Sequence, residues 1–278
     1  MKQYISMAAG SSVKNLNKDK VYDVIIPLPP LSEQRAIAEV LGKVDALIAN
    51  LAKRIEKKRL VREGVMHDLL TGKKRLPGFA GEWKTVKLGE CGELTKGSGI
   101  SRAESDSGNI PAVRYGEIYT HHNDYVKDYV SHISLDVAKR AKLLSKGDVL
   151  FAGSGETEED IGKAVAVLDD GVYAGGDLIV FSPFGDSDPI FIGTLLNMPY
   201  VQKQKTLCAQ GATVIHITST SIAGIEIYLP EYQEQRAIAG VLSGMDGEIA
   251  QLEAKREKYA KIKAGLMNDL LTGKVRVR

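Results

Sequence analysis

A repeated segment of 48 residues limits the possible folds of this chain more than any other feature of its sequence. Glu-Gln-Arg-Ala-Ile-Ala occupies residues 33–38 and again 234–239, and Asp-Leu-Leu-Thr-Gly-Lys occupies 68–73 and again 269–274. The offset is 201 residues in both cases, and 25 of the 48 positions from Leu28 to Arg75 are identical in the second copy. Two copies this far apart are not a solenoid, which needs contiguous repeats. The chain therefore holds two related elements with a different element between them.

Each copy carries the start and stop signals of one long helix. Pro29-Pro30 favours an extended chain before the helix, because the residue before a proline is pushed out of the helical region. Ser32 can serve as the N-cap. Gly72 and Gly273 follow Leu-Leu-Thr and suit the left-handed position after a helix. A helix over 32–71 is about 60 Å long at 1.5 Å per residue.

Apolar residues recur every seven positions in both predicted helices, with a companion apolar position between them. This spacing is typical of a coiled-coil seam. The simplest arrangement pairs helix 32–71 with helix 233–272 as an antiparallel coiled coil; the alternative is two separate helices lying on the surface of one core. The predicted seam consists of Ile37, Leu41, Val44, Ile48, Leu51, Ile55, Ile238, Leu242, Met245, Ile249, Leu252, Tyr259, Leu266 and Leu270.

Residues 76–230, between the copies, have the pattern of a compact α/β (α+β) domain. Short apolar runs bounded by Gly, Asp or Pro are typical of strands. The strand candidates are 85–88, 148–152, 164–168, 177–181, 213–217 and 224–229, and helical spacing is found over 134–143 and 189–205.

The predicted loops of this domain are rich in side chains that contact DNA bases and phosphates. Ser, Thr, Gln, Arg, Lys and His serve both purposes, although loops are polar in most proteins. His121-His122 lacks a third ligand in its vicinity and is weak support for a metal site, so no metal is predicted. The candidate DNA-facing residues are Lys96, Ser98, Arg102, Arg114, Tyr115, Thr120, His121, Ser154, Thr157, Gln210, Thr213 and His216.

The net charge of +2 conceals an uneven distribution. Residues 32–75 carry eleven Lys/Arg against six Asp/Glu, residues 231–278 carry nine against seven, and residues 76–230 carry thirteen against twenty. Charge alone therefore favours nucleic-acid contact by the repeats rather than by the middle domain. No run of eighteen apolar residues and no signal peptide is found, so we expect a cytoplasmic chain without a membrane span. Cys91 and Cys208 form neither a disulfide framework nor a metal-ligand spacing.

A search for catalytic motifs gives none that the sequence supports. Gly153-Ser154-Gly155 has no GxGxxG continuation, and neither GxxxxGK nor a GxSxG elbow occurs. The Asn/Asp-Pro-Pro-aromatic tetrapeptide associated with adenine methylation is also missing. We therefore expect no enzymatic activity from this sequence and no cofactor of its own.

Several of these segments together resemble the specificity (S) subunit of type I restriction–modification enzymes. They are Pro27 to Ala38, the two Asp-Leu-Leu-Thr-Gly-Lys segments, Arg75 to Phe79 with Gly81-Glu82-Trp83, and Lys146 to Leu150. The resemblance implies a DNA-binding subunit in which each recognition domain reads half of an interrupted site on double-stranded DNA and the helices set the gap. It also implies docking to modification (methyltransferase) subunits, which bind S-adenosylmethionine, and to restriction subunits, which use ATP and Mg²⁺. Those partners would supply much of the positive charge that the acidic middle domain lacks.

The resemblance gives the domain boundaries and one departure from the family pattern. Residues 1–31 correspond to the end of a first recognition domain, 32–75 and 231–278 to the two helices, and 76–230 to a complete recognition domain. Val21, Val24, Ile25 and Ile26 in the first segment form an apolar set typical of a strand, and an uncovered strand is an edge that natural proteins usually protect. Since one recognition domain reads one half-site, we expect a homodimer that reads a palindromic, interrupted site.

Two other classes remain open from the sequence alone. One is a coiled-coil scaffold protein without DNA binding of its own, which the acidic domain favours. The other is a nuclease or methyltransferase that carries its own chemistry, which the failed motif search opposes.

Overall fold

A computed structural model describes residues 18–155, 157, 161–211 and 215–277. Within these residues the chain divides into two compact units. The first unit contains residues 18–58 and 248–277, and the second contains residues 59–247. Among the described residues, no helix is long and apolar enough to cross a membrane.

The described helices and strands follow one another in the order that the sequence suggests. The helices are α1 (Lys18–Tyr22), α2 (Leu31–Leu70), α3 (Leu88–Cys91), α4 (Tyr115–Thr120), α5 (Leu135–Ala138), α6 (Pro189–Leu195), α7 (Pro199–Cys208), α8 (Ser219–Ala223) and α9 (Tyr232–Leu271), with a 3-10 turn at Arg102–Glu104. The strands are β1 (Lys84–Lys87), β2 (Gly92–Lys96), β3 (Ile110–Val113), β4 (Ser131–Ile133), β5 (Lys142–Leu144), β6 (Val149–Ala152), β7 (Ser154–Gly155), β8 (Ala164–Ala166), β9 (Val172–Ala174), β10 (Leu178–Pro183), β11 (Ile215–His216) and β12 (Glu226–Leu229).

The two long helices, α2 and α9, have 40 residues each and lie within one residue of their predicted positions. Helix α2 begins at Leu31, and the backbone N–H groups of Glu33 and Gln34 donate to the Pro30 carbonyl. Ser32 is therefore inside the first turn, and the prediction that it caps the helix is wrong by two positions, since the N-cap is Pro30. Gly72 and Gly273 end the helices with φ of 68° and 73°, the left-handed conformation that glycine adopts at little cost.

Charged pairs show that the helices run antiparallel in the first unit. Lys58 Nζ lies 2.5 Å from Glu248 Oε2, and Lys263 Nζ lies 2.5 Å from Asp45 Oδ1. As residue numbers rise along α2 they fall by similar steps along α9, so the antiparallel coiled coil is confirmed. Each of the fourteen predicted seam residues is buried or half-buried. The alternative of two separate surface helices is excluded by this pairing.

The segment before α2 differs from its prediction. Residues 18–22 form helix α1, so the predicted strand around Val21 is wrong. The position of α1 matches α8 at the same offset of 201 residues, which means that the duplication extends upstream of the long helices. Residues 24–30 belong to no β-ladder formed by the described residues, because the strand that pairs with their second copy has no described counterpart here.

Two four-stranded sheets form the framework of the recognition domain. One has the order β2-β10-β6-β8 and is antiparallel throughout. The other has the order β4-β3-β9-β5, in which β3 and β9 are parallel. Every residue of β6 is buried, with Val149 and Phe151 in one apolar cluster and Leu150 and Ala152 in another. The first sheet is therefore covered on both faces at β6, which explains why β6 and β8 are continuous apolar runs.

One of the predicted helices is shorter in the structure, and another is divided into two. Ser134 caps the short helix α5, its Oγ accepting from Val137 N–H, and the chain then enters β5 at Lys142. The predicted helix 189–205 is two helices, because Pro199 cannot donate a hydrogen bond to the preceding turn and instead starts α7. The mixed α/β domain itself is confirmed.

Candidate nucleic-acid interface

Three of the predicted DNA-facing residues meet around one cavity of the recognition domain. Lys96 at the end of β2, Ser154 in β7 and His216 in β11 all line a cavity of about 270 Å³. Lys96 and His216 are exposed and Ser154 is half-buried. These residues come from segments more than fifty positions apart in sequence. Their convergence defines what we call the β7–β11 cleft.

Tyrosines of α4 fix one wall of the β7–β11 cleft. Tyr115 Oη donates to the Ser154 carbonyl at 2.8 Å, and Tyr119 Oη donates to the same carbonyl. The two rings pack edge to face with centroids 5.4 Å apart. The tyrosines therefore hold the β7 backbone in place. Tyr119 was not predicted, although its spacing of four residues from Tyr115 places both on one side of a helix.

Strand β7 also pairs with β11 in a short ladder. Ser154 and Gly155 pair with His216 and Ile215, and the backbones of Gln210 and His216 exchange hydrogen bonds of 2.9 and 2.8 Å. Gln210 is thereby held next to His216. Five of the twelve predicted residues, namely Lys96, Tyr115, Ser154, Gln210 and His216, thus belong to one connected cluster.

Asp177 also lines the β7–β11 cleft and was missed by the sequence analysis. Its φ is 64°, a conformation that residues other than glycine seldom adopt. Its carbonyl accepts from the backbone N–H of Gly153 at 3.2 Å. Such strain persists only where the surrounding structure imposes it, and it is concentrated at functional sites. The Gly-Gly-Asp sequence at 175–177 is the signal that could have indicated a special turn.

The other predicted residues lie apart from this cluster or are engaged locally. Ser98 Oγ donates to the Arg140 carbonyl at 3.0 Å, and Thr120 Oγ1 donates to its own helix at Gly116. His121 Nε2 lies 2.9 Å from Asp128 Oδ2. Arg102 and Thr157 are exposed, whereas Arg114 is half-buried with Nη1 3.9 Å from Glu117 Oε1. Thr213 lies outside the described residues.

His122, next to His121, is a core residue rather than a surface one. Its side chain is buried, and burial, followed by the charge of His121, lowers its pKa to about 4. It is therefore neutral near pH 7. Among the described residues, no group of three potential ligands surrounds either histidine.

A buried lysine stabilises the turn that precedes β8. Lys205 of α7 is fully buried, and its Nζ donates to the Gly162 carbonyl at 2.8 Å. Burial lowers the pKa of Lys205 to about 7. Because Gly162 has a φ of 66° and lies against the Lys205 stem, this contact fixes the turn that leads into β8.

The repeated Glu-Gln motif joins the recognition domain to α9 within the second unit. Both oxygens of Glu234 accept from Arg75, at 2.5 and 2.6 Å, and Trp83 Nε1 donates to the same carboxylate at 3.2 Å. Gln235 Nε2 donates to the Pro230 carbonyl, and its Oε1 accepts the backbone N–H of Asp188 at the start of α6. The two side chains of the motif thus bind Arg75, Trp83, Pro230 and Asp188.

A second polar group links the helices to the β-sheet region. Arg62 of α2 donates to Asp246 of α9 at 3.1 Å and lies 3.4 Å from Asp124. Tyr125 Oη donates to Asp246, and Asn197 Nδ2 donates to Asp124, both at 3.1 Å. Arg62 and Asp246 form a largely buried ion pair.

Comparison with known proteins agrees with this fold. The sequence model of one protein family, the type I restriction modification DNA specificity domain, matches residues 1–58 and 80–263. The chain therefore belongs to that family of DNA specificity domains. The resemblance stated from the sequence is confirmed.

Similar proteins include specificity subunits from an archaeon and a bacterium. The type I restriction enzyme MjaVIII specificity subunit of Methanocaldococcus jannaschii is 27% identical over 98% of this chain and 67% of its own length. The putative specificity subunit S.HindORF215P of Haemophilus influenzae is 22% identical over 95% of this chain and 69% of its own. The S subunit structure from M. genitalium has a TM-score of 0.61 at 17% identity, covering 96% of this chain and 68% of that one. The chain thus spans about two thirds of the length of these proteins.

Proposed function

We propose that this chain is the DNA-reading subunit of a type I restriction–modification enzyme and that its recognition domain reads one half-site through the β7–β11 cleft. The observation that carries the proposal is the meeting of Lys96, Ser154 and His216 at one cavity of the domain. The family supports the assignment, since its members are DNA specificity domains.

The side chains of the cleft have the chemistry that base edges require. Lys96 is a donor that suits guanine O6 and N7 or a phosphate. Asp177 is an acceptor that suits the amino group of cytosine. Ser154, Thr218 and Ser219, which also line the cavity, carry hydroxyls that both donate and accept. Donors and acceptors side by side favour base readout over simple phosphate attraction.

The chain acts without chemistry of its own in this proposal. Methylation, ATP hydrolysis and cleavage belong to modification and restriction subunits, together with S-adenosylmethionine, ATP and Mg²⁺. These partners also offset the acidic recognition domain, because DNA affinity depends on phosphate neutralisation. Incubation of the purified chain with DNA, Mg²⁺ and S-adenosylmethionine should give neither methylation nor cleavage; turnover by the chain alone would support the enzyme alternative.

Methylome sequencing tests the reading role directly. Cells that express the chain with its cognate methyltransferase should show one interrupted methylation motif, and Lys96→Ala with His216→Ala should alter or abolish it. Lys43→Ala is the matched control, because Lys43 is an exposed lysine of α2 that pairs with Glu39 of the same helix. An unchanged motif in the double variant would place the reading surface elsewhere, and binding without any motif would favour the scaffold alternative.

Salt dependence separates phosphate contact from base contact. Arg102→Ala should lower the slope of affinity against salt by about one if Arg102 touches phosphate. If Arg102 reads guanine, the variant should instead lose about 1–3 kcal/mol and change the motif. Unaltered binding in Lys96→Ala, Arg102→Ala and Arg114→Ala combined would exclude these cations.

The coiled coil serves as a spacer in the same proposal. Four residues inserted after Leu47 and four at the facing position near Lys261 would lengthen both helices by about 6 Å. In an assembly with two recognition domains, the gap between half-sites should change while the half-sites stay the same. A changed half-site with an unchanged gap would contradict the spacer role.

A homodimer is the simplest way for a sequence with one recognition domain to obtain a second reader. Its two-fold symmetry would make the DNA site palindromic. Light scattering measures this state directly, with a mass near 60 kDa expected against 30.2 kDa for one chain. A mass near 30 kDa at every concentration would remove both the dimer and the palindrome.

A further inference from the structure

The β7–β11 cleft holds one cation and one carboxylate that do not bind each other. Lys96 and Asp177 both line the cavity of about 270 Å³, and both side chains are exposed. In the part of the chain that the structure describes, neither side chain forms an ion pair or a hydrogen bond. The ammonium group of Lys96 can only donate hydrogen bonds, and the carboxylate of Asp177 can only accept them. Together they suit a ligand that presents an acceptor beside a donor.

The backbone fixes where these two charged groups lie. Lys96 ends β2 and pairs with Ile179 of β10, two residues beyond Asp177. A Cβ at Gly97 would lie 2.0 Å from the Gly175 carbonyl oxygen. The turn that carries Gly175 and Asp177 therefore packs directly on the end of β2, and only glycine at position 97 leaves room for it. The distance between Lys96 and Asp177 is thus set by backbone packing.

Asp177 occupies a backbone conformation that suits glycine better than aspartate. Its φ of 64° lies in the left-handed region, which glycine adopts at little cost and other residues seldom adopt. Its carbonyl accepts from Gly153 N–H at 3.2 Å, which ties the turn to the segment between β6 and β7. The conformation alone favours glycine, so the reason for an aspartate at this position lies in its carboxylate.

A carboxylate in the cleft lowers the affinity for most DNA sequences. It repels phosphates, and DNA affinity depends on phosphate neutralisation. It also repels base edges that present acceptors, because it has no hydrogen to donate. Asp177 can therefore favour only a base edge that presents an amino group. A group of this kind provides specificity, since specificity is a difference between two affinities.

We propose that Lys96 and Asp177 read the two bases of one G·C pair in the major groove, with Lys96 donating to guanine and Asp177 accepting from the amino group of cytosine. On this edge the guanine acceptors O6 and N7 lie beside the N4 amino group of cytosine. The amino group of an A·T pair lies between two acceptors, adenine N7 and thymine O4, and both would repel the carboxylate. Asp177 is thus the specificity-determining residue of the two, an assignment that rests on the proposed DNA-reading role of the cleft.

Methylation motifs of Asp177 variants test the assignment. The chain is expressed with its cognate modification subunits, and the methylome is sequenced. The native half-site should contain a G·C pair at which Asp177→Asn loses selectivity, because asparagine tolerates the same φ but its amide also donates to bases that present acceptors. Asp186→Asn is the matched control and should keep the native motif. Asp186 is also exposed but follows the other end of β10, away from the cleft.

A base analogue tests the hydrogen bond itself. The purified complex of the chain with its modification subunits is titrated with two duplexes that carry the motif. One duplex has 2-pyrimidinone, which lacks the N4 amino group, in place of the cytosine. The native complex should bind this duplex about tenfold more weakly. The Asp177→Gly complex should bind both duplexes equally, and its thermal unfolding midpoint should be no lower than the native one, because glycine suits this φ.

Three outcomes overturn the proposal while the reading role of the cleft stands. They are a native half-site without a G·C pair, a native motif in Asp177→Asn, and a tenfold loss for the analogue that persists in Asp177→Gly. The absence of any motif with the native chain would instead refute the reading role itself, and this assignment with it.

Discussion

The two ends of the helix pair are built from copies that share 25 of 48 residues, but only one end holds a recognition domain among the described residues. At the occupied end Arg75 is 26% exposed and also packs its guanidinium 5.6 Å from the Trp83 ring. At the open end the matching Arg276 is 65% exposed. The ion pair to glutamate is the same in both. The ion pair between glutamate and arginine therefore forms at both ends, whereas the arginine side chain is buried only where a recognition domain packs against it.

A second ion pair is also more buried at the occupied end, and its cation is a different residue type at the two ends. The occupied end has Arg62 with Asp246, both largely buried and bound to Tyr125 and Asp124. The open end has Lys263 with Asp45, and Asp45 is 54% exposed. Arginine has several donors and can hold several partners, whereas lysine is sufficient for one. The residue type follows the number of partners at each end.

The largest expected effect comes from Ile227 and its counterpart in the first copy, Ile26. Ile227→Ala removes a buried side chain and should lower the free energy of unfolding by about 2–5 kcal/mol. Ile26→Ala should change it by less than about 0.5 kcal/mol, as for most exposed positions. Urea titration of the two variants measures both values. Equal losses would mean that Ile26 is buried in the isolated chain.

The second largest difference in stability is expected between Glu234→Ala and Glu33→Ala. Glu234→Ala leaves Arg75 and Trp83 without their acceptor and should cost about 2–3 kcal/mol. Glu33→Ala should have little effect, because Arg276 can turn to water. Trp83 is the single tryptophan of the sequence, so its emission should shift to longer wavelength in the first variant only. A red shift in Glu33→Ala would contradict the comparison.

Acid should destabilise the second unit through His122. Its folded pKa of about 4 is below the value of an unfolded histidine, so the unfolded chain takes up the proton first. The stabilisation is present above about pH 6.5 and is lost as the pH falls towards 4, by on the order of 1–2 kcal/mol near pH 5. Urea unfolding at pH 7 and pH 5 should show this loss in the native chain and a smaller one in His122→Gln. Identical losses would exclude His122 as the cause.

The smallest difference in stability is expected between Gln235→Ala and Gln34→Ala. Gln235→Ala loses the bonds to Pro230 and Asp188 and should cost about 1–2 kcal/mol. Gln34→Ala loses the bond to Pro29 and should cost about 0.5–1 kcal/mol. Thermal unfolding of both variants, compared with the native chain, checks the order. A greater loss in Gln34→Ala would reverse the assignment of the open end.

Local signals in the sequence were enough for the long helices and the central strands. Proline before the helix, glycine after it and an apolar period near 3.5 act within a few residues, so α2 and α9 were placed within one position. The strand predicted at 21–26 is wrong at its start, because residues 18–22 form a helix, as their counterparts 219–223 do in the second copy.

The candidate site was only partly accessible to sequence reasoning. Residue type alone placed Lys96, Ser154 and His216 among the candidates. Their convergence depends on β2, β7 and β11 meeting, and no local pattern encodes that. Asp177 was missed because its position in the cleft follows from its backbone conformation. Asp124 and Asp246 were missed because a buried ion pair and a solvated charge have the same appearance in sequence.

The antiparallel helix pair also restricts how the DNA site of such an enzyme can evolve, if the helices are its spacer. Two residues added to each helix would match about one base pair of 3.4 Å but would turn the seam by about 200°. Four or seven added residues leave the seam within about 40° or 20° of its place. They lengthen the spacer by about 6 or 10.5 Å, roughly two or three base pairs. The gap between half-sites should therefore evolve in jumps, with single-base-pair steps disfavoured by the geometry of the helix itself.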